Sequence, residues 1–137
     1  MKAHGGMSAT TTVQTALTTL CKQVDGLRSI VVTDRDGVVV LRAPETVIDD
    51  QTADQILTTI FALTTDQTSK IEELGAANFI LTTYDNCICL QSNAYPLVVR
   101  MIASAGSNAG ALIDLLPQIE AVLGPTKEVM KRETETY

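Results

Sequence analysis

Residues 52–84, TADQILTTIFALTTDQTSKIEELGAANFILTTY, hold the two elements whose exposure decides the fold. The first part predicts an amphipathic helix from residue 52 to about 74, ended by Gly75. Its apolar set is Ala53, Ile56, Leu57, Ile60, Phe61, Leu63, Thr64, Ile71 and Leu74. These positions spread over roughly 160°, wider than the ~100° stripe of a helix with one buried face. The excess predicts burial against two neighbours. Asp49, Asp50 and Asp54 cluster near the helix start, where the macrodipole favours anions. The polar run 64–70, with Asp66 and Lys70 as an i,i+4 pair, reads either as a solvated face or as a polar contact zone that includes Gln67. Residues 78–84 follow as a strand in which Phe79, Ile80 and Leu81 stand in succession. Left as an open edge, such a strand is an aggregation hazard that pairing would remove.

Upstream, residues 11–24 predict a first helix with Val13, Ala16, Leu17, Leu20 and Val24 on one stripe. Residues 28–33 and 38–42 are β-branched runs around Asp34-Arg35-Asp36-Gly37, the composition of a tight hairpin turn. Downstream, residues 78–84, 87–92 and 95–103 read as a meander joined by short turns, hence as antiparallel neighbours. A last helix runs from Ala109 towards Leu123, with Ala109, Leu112, Ile113, Leu116 and Leu123 on one face. Pro117 is expected to kink or split it, Gly124-Pro125 to interrupt it again, and residues 126–132 to add a turn or two. Residues 1–10 are expected to be a flexible lead and 133–137 a frayed tail, leaving one domain over 11–132. The element order is α-β-β-α-β-β-β-α.

Bulk properties narrow the function. Apolar residues make up 45% of the 137 and charged residues 19%, below the usual quarter, a weak sign of a buried partner surface. Sixteen acids against ten bases give a net charge of −6, and no Lys/Arg stripe exists to hold nucleic acid or an anionic membrane directly. No apolar run approaches the ~20 residues of a membrane span. Residues 1–12 are small and polar, unlike a secretory leader, and neither a myristoylation nor a prenylation signal is expected. Cys21, Cys87 and Cys89 are an odd number, which suits a reducing compartment. The expected location is the cytosol, or the cytosolic face of an organelle through another protein's anchor.

Chemistry is thinly represented. The single histidine, His4, lies in the expected lead, so neither a Ser-His-Asp or Cys-His arrangement nor a His-based metal site has a positioned base. Cys87 and Cys89 project to one side of a strand but lack a second pair of ligands, and read as small buried hydrophobes. Asp34-x-Asp36-Gly37 resembles the start of a calcium loop, yet Val38 and Val39 occupy positions that need an oxygen ligand and a glycine. The run Gly106-Ser107-Asn108-Ala109-Gly110 lacks both a P-loop ending and dinucleotide-fingerprint spacing, and Ser107 or Asn108 suffices as a helix cap. No cofactor, metal or catalytic residue is expected.

Several strings converge on one family. Ile30-Val31-Val32-Thr33-Asp34-Arg35-Asp36-Gly37-Val38 and Phe61-Ala62-Leu63-Thr64-Thr65-Asp66-Gln67-Thr68-Ser69-Lys70 closely resemble the MEK partner 1 family. So do Pro96-Leu97-Val98-Val99 with Ile102-Ala103-Ser104, and Asn108-Ala109-Gly110, in order from about residue 20 to 123. The stretch 108–125 is about one helical turn longer than the family pattern. The resemblance implies a roadblock-type α+β sandwich: a five-stranded antiparallel sheet, the second helix on one face and the first and last on the other. It implies a non-catalytic scaffold that heterodimerises with another roadblock-fold protein, second helices side by side and third strands joined at their edges. It further implies other Ragulator subunits, MEK and ERK kinases and Rag GTPases as partners, support of mTOR complex activation, and residence on late endosomes and lysosomes through a lipidated subunit. Two other functions stay open: a roadblock homodimer regulating a small GTPase, for which Arg35 and Arg100 are the candidate arginine fingers, and a dynein light chain of the roadblock class.

Geometry supports pairing independently. A face of five strands is roughly 20 Å wide at ~4.8 Å per strand, while one helix is ~10 Å across. Something else must cover the remainder. The expected partner surface comprises Ile56, Ile60, Phe61, Thr64 and Gln67 on the second helix, with Asn78, Phe79, Ile80 and Leu81 on the strand that follows.

Overall fold

Alternating side chains and short turns close five strands into one antiparallel sheet, so that the hairpin and the meander meet at its centre. The computed structural model describes residues 5–44 and 51–136. Its elements are α1 (Gly5–Lys22), β1 (Leu27–Thr33), β2 (Val39–Ala43), α2 (Gln51–Thr68), β3 (Phe79–Thr83), β4 (Cys87–Ala94), β5 (Leu97–Ser104) and α3 (Ala109–Thr136). The strand order is β2-β1-β5-β4-β3, which puts β2 and β3 on the edges. The expected element order and the division of one helix against two both hold.

The β1–β2 turn is built as its residue types predict. The Asp34 carboxylate accepts the backbone N–H groups of Asp36 and Val38, both at 2.9 Å, and Gly37 adopts φ +91°. Gly37 also lets the hairpin approach α2, since a Cβ there would lie 3.2 Å from the Thr58 hydroxyl.

The strand periodicity divides the sheet into two unlike faces. Ile30, Val32, Val99, Met101, Leu90 and Ile88 point to one side, where Leu17 and Leu20 of α1 and Leu112, Leu115, Ile119 and Leu123 of α3 bury them. Each such side chain, fully buried, contributes about 1.5–3 kcal/mol relative to exposure. Register places Val31, Arg100, Gln91 and Ile80 in one row on the other side, beneath α2. That face is markedly more polar.

The helix ends depart from expectation. α1 begins at Gly5 rather than residue 11, so the expected flexible lead is partly helical; residues 1–4 lie outside the described residues. Once a nucleus is packed, each added residue costs little, and the helix propagates upstream. α3 runs unbroken to Thr136 through both Pro117 and Pro125, and most of the expected frayed tail is helical; residue 137 is not described. Both prolines are exposed, while Leu115, Ile119 and Leu123 hold the buried side.

α2 ends earlier, at Thr68, with a separate 3-10 turn at Glu72–Leu74. The hydroxyls of Thr65, Thr68 and Ser69 accept no role in the core and instead donate to the carbonyls of Phe61, Thr64 and Thr65. That competition weakens a helix terminus. Ile71 and Leu74 are 50% and 75% exposed, so continuing the helix would bury nothing in return. Asp49 and Asp50, expected at the helix start, lie outside the described residues.

Candidate partner interface

α2 sits on the sheet through a stripe of unusual composition. Asp54, Thr58, Phe61 and Thr65 recur at helical spacing, and the first three are buried. Beneath them Arg100, wholly inaccessible in the middle of β5, spreads its guanidinium under the helix. Its Nη1 donates to Asp54 Oδ1 at 2.9 Å, its Nη2 to Thr58 Oγ1 at 2.9 Å and to the Asp54 carbonyl at 3.2 Å, and its Nε to Gln91 Oε1 at 3.2 Å. Gln91 in turn donates to the Leu57 carbonyl at 2.9 Å. Arg42 Nη2 reaches the other Asp54 oxygen at 2.6 Å. Burial pushes the Arg100 guanidinium below its ordinary value and the Asp54 carboxylate opposes that shift. Two arginines on one carboxylate, with every guanidinium edge of Arg100 engaged, form a satisfied network of the kind that tolerates burial. Periodicity alone misses it: Asp54 reads locally as a helix-start anion, and its partner lies 46 residues away.

The opposite side of α2 carries the apolar surplus. Ile56 is 55% and Leu63 60% exposed, with Ile60 half-buried between them and Gln67 exposed beyond, a stripe at positions i, i+4, i+7 and i+11. Thr64 is half-buried on its flank. α2 packs against β3, so the helix that carries this stripe lies beside the sheet edge. β3 pairs with β4 along one side, and no other strand of the described residues meets its outer side. Phe79 and Leu81 are each 37% exposed, on the α1/α3 side by register, while Ile80 is half-buried beneath α2. Asn78 is exposed just before the strand, its carbonyl accepting the Asn93 N–H at 3.1 Å.

The expected surface therefore needs one correction. Phe61 is 4% exposed and belongs to the seat of α2 on its own sheet, not to the outward face. Leu63 takes its place. The i+3 spacing from Ile60 could have found it, but a wide apolar arc does not say which flank faces inward.

Beside the C-terminal half of α2 lies a groove of ≈ 440 Å³, lined among others by Arg35, Phe61, Thr65, Asp66, Asn93 and Val98. Arg35 spans its mouth, donating to Asn93 Oδ1 at 3.0 Å and stacking over Tyr95 at 5.4 Å. Of the two candidate arginine fingers, Arg100 is sealed in the network above. Cys89 is buried, and desolvation pushes its thiol up to about 11; Cys21 is buried and shifted the same way. Cys89 is a small buried hydrophobe as expected, whereas Cys87, expected to be buried with it, is half-buried. Asn108 caps α3 through its Oδ1, which accepts the Ala111 N–H at 3.1 Å.

Similarity to known proteins identifies the family and the fold. Residues 11–132 match the family described as mitogen-activated protein kinase kinase 1 interacting. A Xenopus laevis relative, Ragulator complex protein LAMTOR3-B, is 40% identical over 92 residues, covering 67% of this chain and 74% of the relative. Human Ragulator complex protein LAMTOR3 is 36% identical over 112 residues, 82% and 86% of the two chains. Among solved structures, a roadblock/LC7 domain from Streptomyces avermitilis superposes with a TM-score of 0.71 at 16% identity, covering 82% of this chain and 95% of that one. Myxococcus xanthus MglB gives 0.72 at 13% identity, with 88% and 90% covered. By sequence over nearly its whole described length and by the architecture of its sheet and helices, this chain belongs to the mitogen-activated protein kinase kinase 1 interacting family and has the roadblock/LC7 fold.

Proposed function

We propose that the chain is a non-catalytic adaptor subunit that pairs with a second roadblock-fold protein through the outward stripe of α2 and the open edge of β3. The observation that carries this reading is their placement on neighbouring elements: Ile56, Ile60 and Leu63 lie exposed or half-buried on the helix that packs against β3, and no strand among the described residues pairs with the outer side of β3. A partner helix on the stripe and a partner strand on the edge would cover both at once. Relatives named as Ragulator complex proteins, and a family named for interaction with mitogen-activated protein kinase kinase 1, support the reading that the pair works in a Ragulator-like assembly. Within it the chain supports MEK–ERK signalling and Rag GTPase-dependent activation of the mTOR complex, on the cytosolic face of late endosomes and lysosomes. No helix among the described residues is long and apolar enough to cross a membrane, which suits attachment through a lipidated partner subunit.

The test is co-purification of the full chain from its own cells, followed by native mass measurement. The expected result is a one-to-one pair with a roadblock-fold paralogue, accompanied by Rag GTPases. A self-pair that alters GTP turnover by a small GTPase, or recovery within a motor complex, overturns it.

A further inference from the structure

We propose that the Arg100–Asp54–Gln91 cluster is a latch that positions the pairing surface, and that α2 opens from the sheet as a separate unit in the unpaired chain. The proposal rests on the pairing reading for its biological meaning, but the latch itself is a property of the free chain.

Three observations carry it. First, the two faces of the sheet are held by different forces. α1 and α3 bury an extended aliphatic core, whereas the only large hydrophobe of α2 that is buried is Phe61. The other buried side chains of α2 are Asp54 and Thr58, both bonded to Arg100. Second, the polar attachment is one-ended. The network engages Asp54, Leu57 and Thr58 near the start of the helix, while the half that follows lines the groove of ≈ 440 Å³ with Phe61, Ala62, Thr65 and Asp66. Third, the apolar side of α2 faces outward, so its own sheet gains little from hydrophobic burial of that element and a partner would gain most of it. Elements with few buried apolar contacts open at lower free energy than the core they rest on.

Arg100 and Gln91 thus act on pairing through α2. Arg100 fixes the helix by three of its donors at once, a geometry that depends on a planar guanidinium. Gln91 locks the next turn through the Leu57 carbonyl. With the latch closed, Ile56, Ile60 and Leu63 are presented in register. With it open, the stripe loses its relation to β3, and pairing must re-form both.

The experiment is segment-resolved hydrogen–deuterium exchange on the full chain, alone and as the co-purified complex. In the free wild-type chain, α2 amides are expected to exchange about tenfold or more faster than those of β1, β5 and α3. In the complex they slow to the rate of the core. Asp54→Asn, which keeps the shape but removes the charge, is expected to speed α2 exchange about a further tenfold while β1 and β5 amides hold their wild-type rates. Arg100→Lys, which keeps the charge but loses the fork, should give the same selective loss. Equal protection of α2 and β5 in the free wild-type chain overturns the proposal. So does an Asp54→Asn effect spread evenly over helix and sheet, which would make the cluster an ordinary part of the core. Selective opening of α2 that no co-purified partner slows would leave the latch standing and refute the pairing surface instead.

Discussion

Replacing Leu63 by aspartate separates the fold of this domain from its proposed pairing surface. Leu63 is 60% exposed on the outward side of α2, so its side chain contributes little to holding the helix on the sheet. A fully buried leucine is worth about 1.5–3 kcal/mol, and a partner that covers the exposed part recovers about 1–2 kcal/mol of it. Aspartate forfeits that gain and adds the desolvation of a carboxylate. No Lys or Arg stands elsewhere in α2 to compensate it. The combined loss is about 3–5 kcal/mol. At about 1.4 kcal/mol per tenfold, the Kd for the partner rises roughly a hundredfold to a few thousandfold. In the unpaired chain the same change costs under about 1 kcal/mol, the difference in helix propensity at a solvated position. Titration of labelled chain against the roadblock-fold partner gives the first number, and urea unfolding of the unpaired chain gives the second. Unchanged affinity would move the interface off this face of α2. Loss of the folded state in the unpaired chain would show that Leu63 is not the outward residue the structure makes it.

Other outcomes follow from the same arrangement. Phe61→Ala removes the principal apolar anchor of α2 and is expected to cost the unpaired chain about 3–5 kcal/mol in urea unfolding; a loss under about 1 kcal/mol would place the ring outside the seat. Cys89 keeps its thiol protonated up to about 11, against an ordinary value of 9.0. The stability gained from a neutral buried thiol is therefore complete below pH 9 and lost as pH rises from 9 through 11, by about 2–3 kcal/mol. Unfolding curves across that window should fall more steeply for wild type than for Cys89→Ala, and parallel curves would refute the assignment. Pro117→Ala restores an amide donor inside α3 and is expected to raise stability by about 1–3 kcal/mol; a lower melting temperature would mean that the proline is required rather than merely tolerated.

Much of the architecture was legible from neighbouring residues alone. Asp34 to Gly37 specify their turn because the carboxylate and the glycine satisfy it locally, and the structure repeats that bonding. The β-branched run at residues 28–33, the apolar run within 95–103 and the short turns between strands give antiparallel partners without reference to anything distant. The surplus of apolar residues on the second helix, and the edge position implied by its following strand, were likewise visible in composition and spacing.

Tertiary structure decided what those patterns left open. The wide arc of the second helix says that two neighbours exist, but not which flank meets the sheet. That choice is made by Arg100, 46 residues beyond Asp54, whose guanidinium binds the polar stripe inward and so turns Leu63 outward and Phe61 inward. The long run of α3 past two prolines follows from a core that holds Leu115, Ile119 and Leu123 while both prolines lie on the exposed side. Turn chemistry and periodicity act between near neighbours, so the elements and their strand pairing can be read along the chain. Their orientation cannot, because a buried charge accepts whatever position supplies its partners.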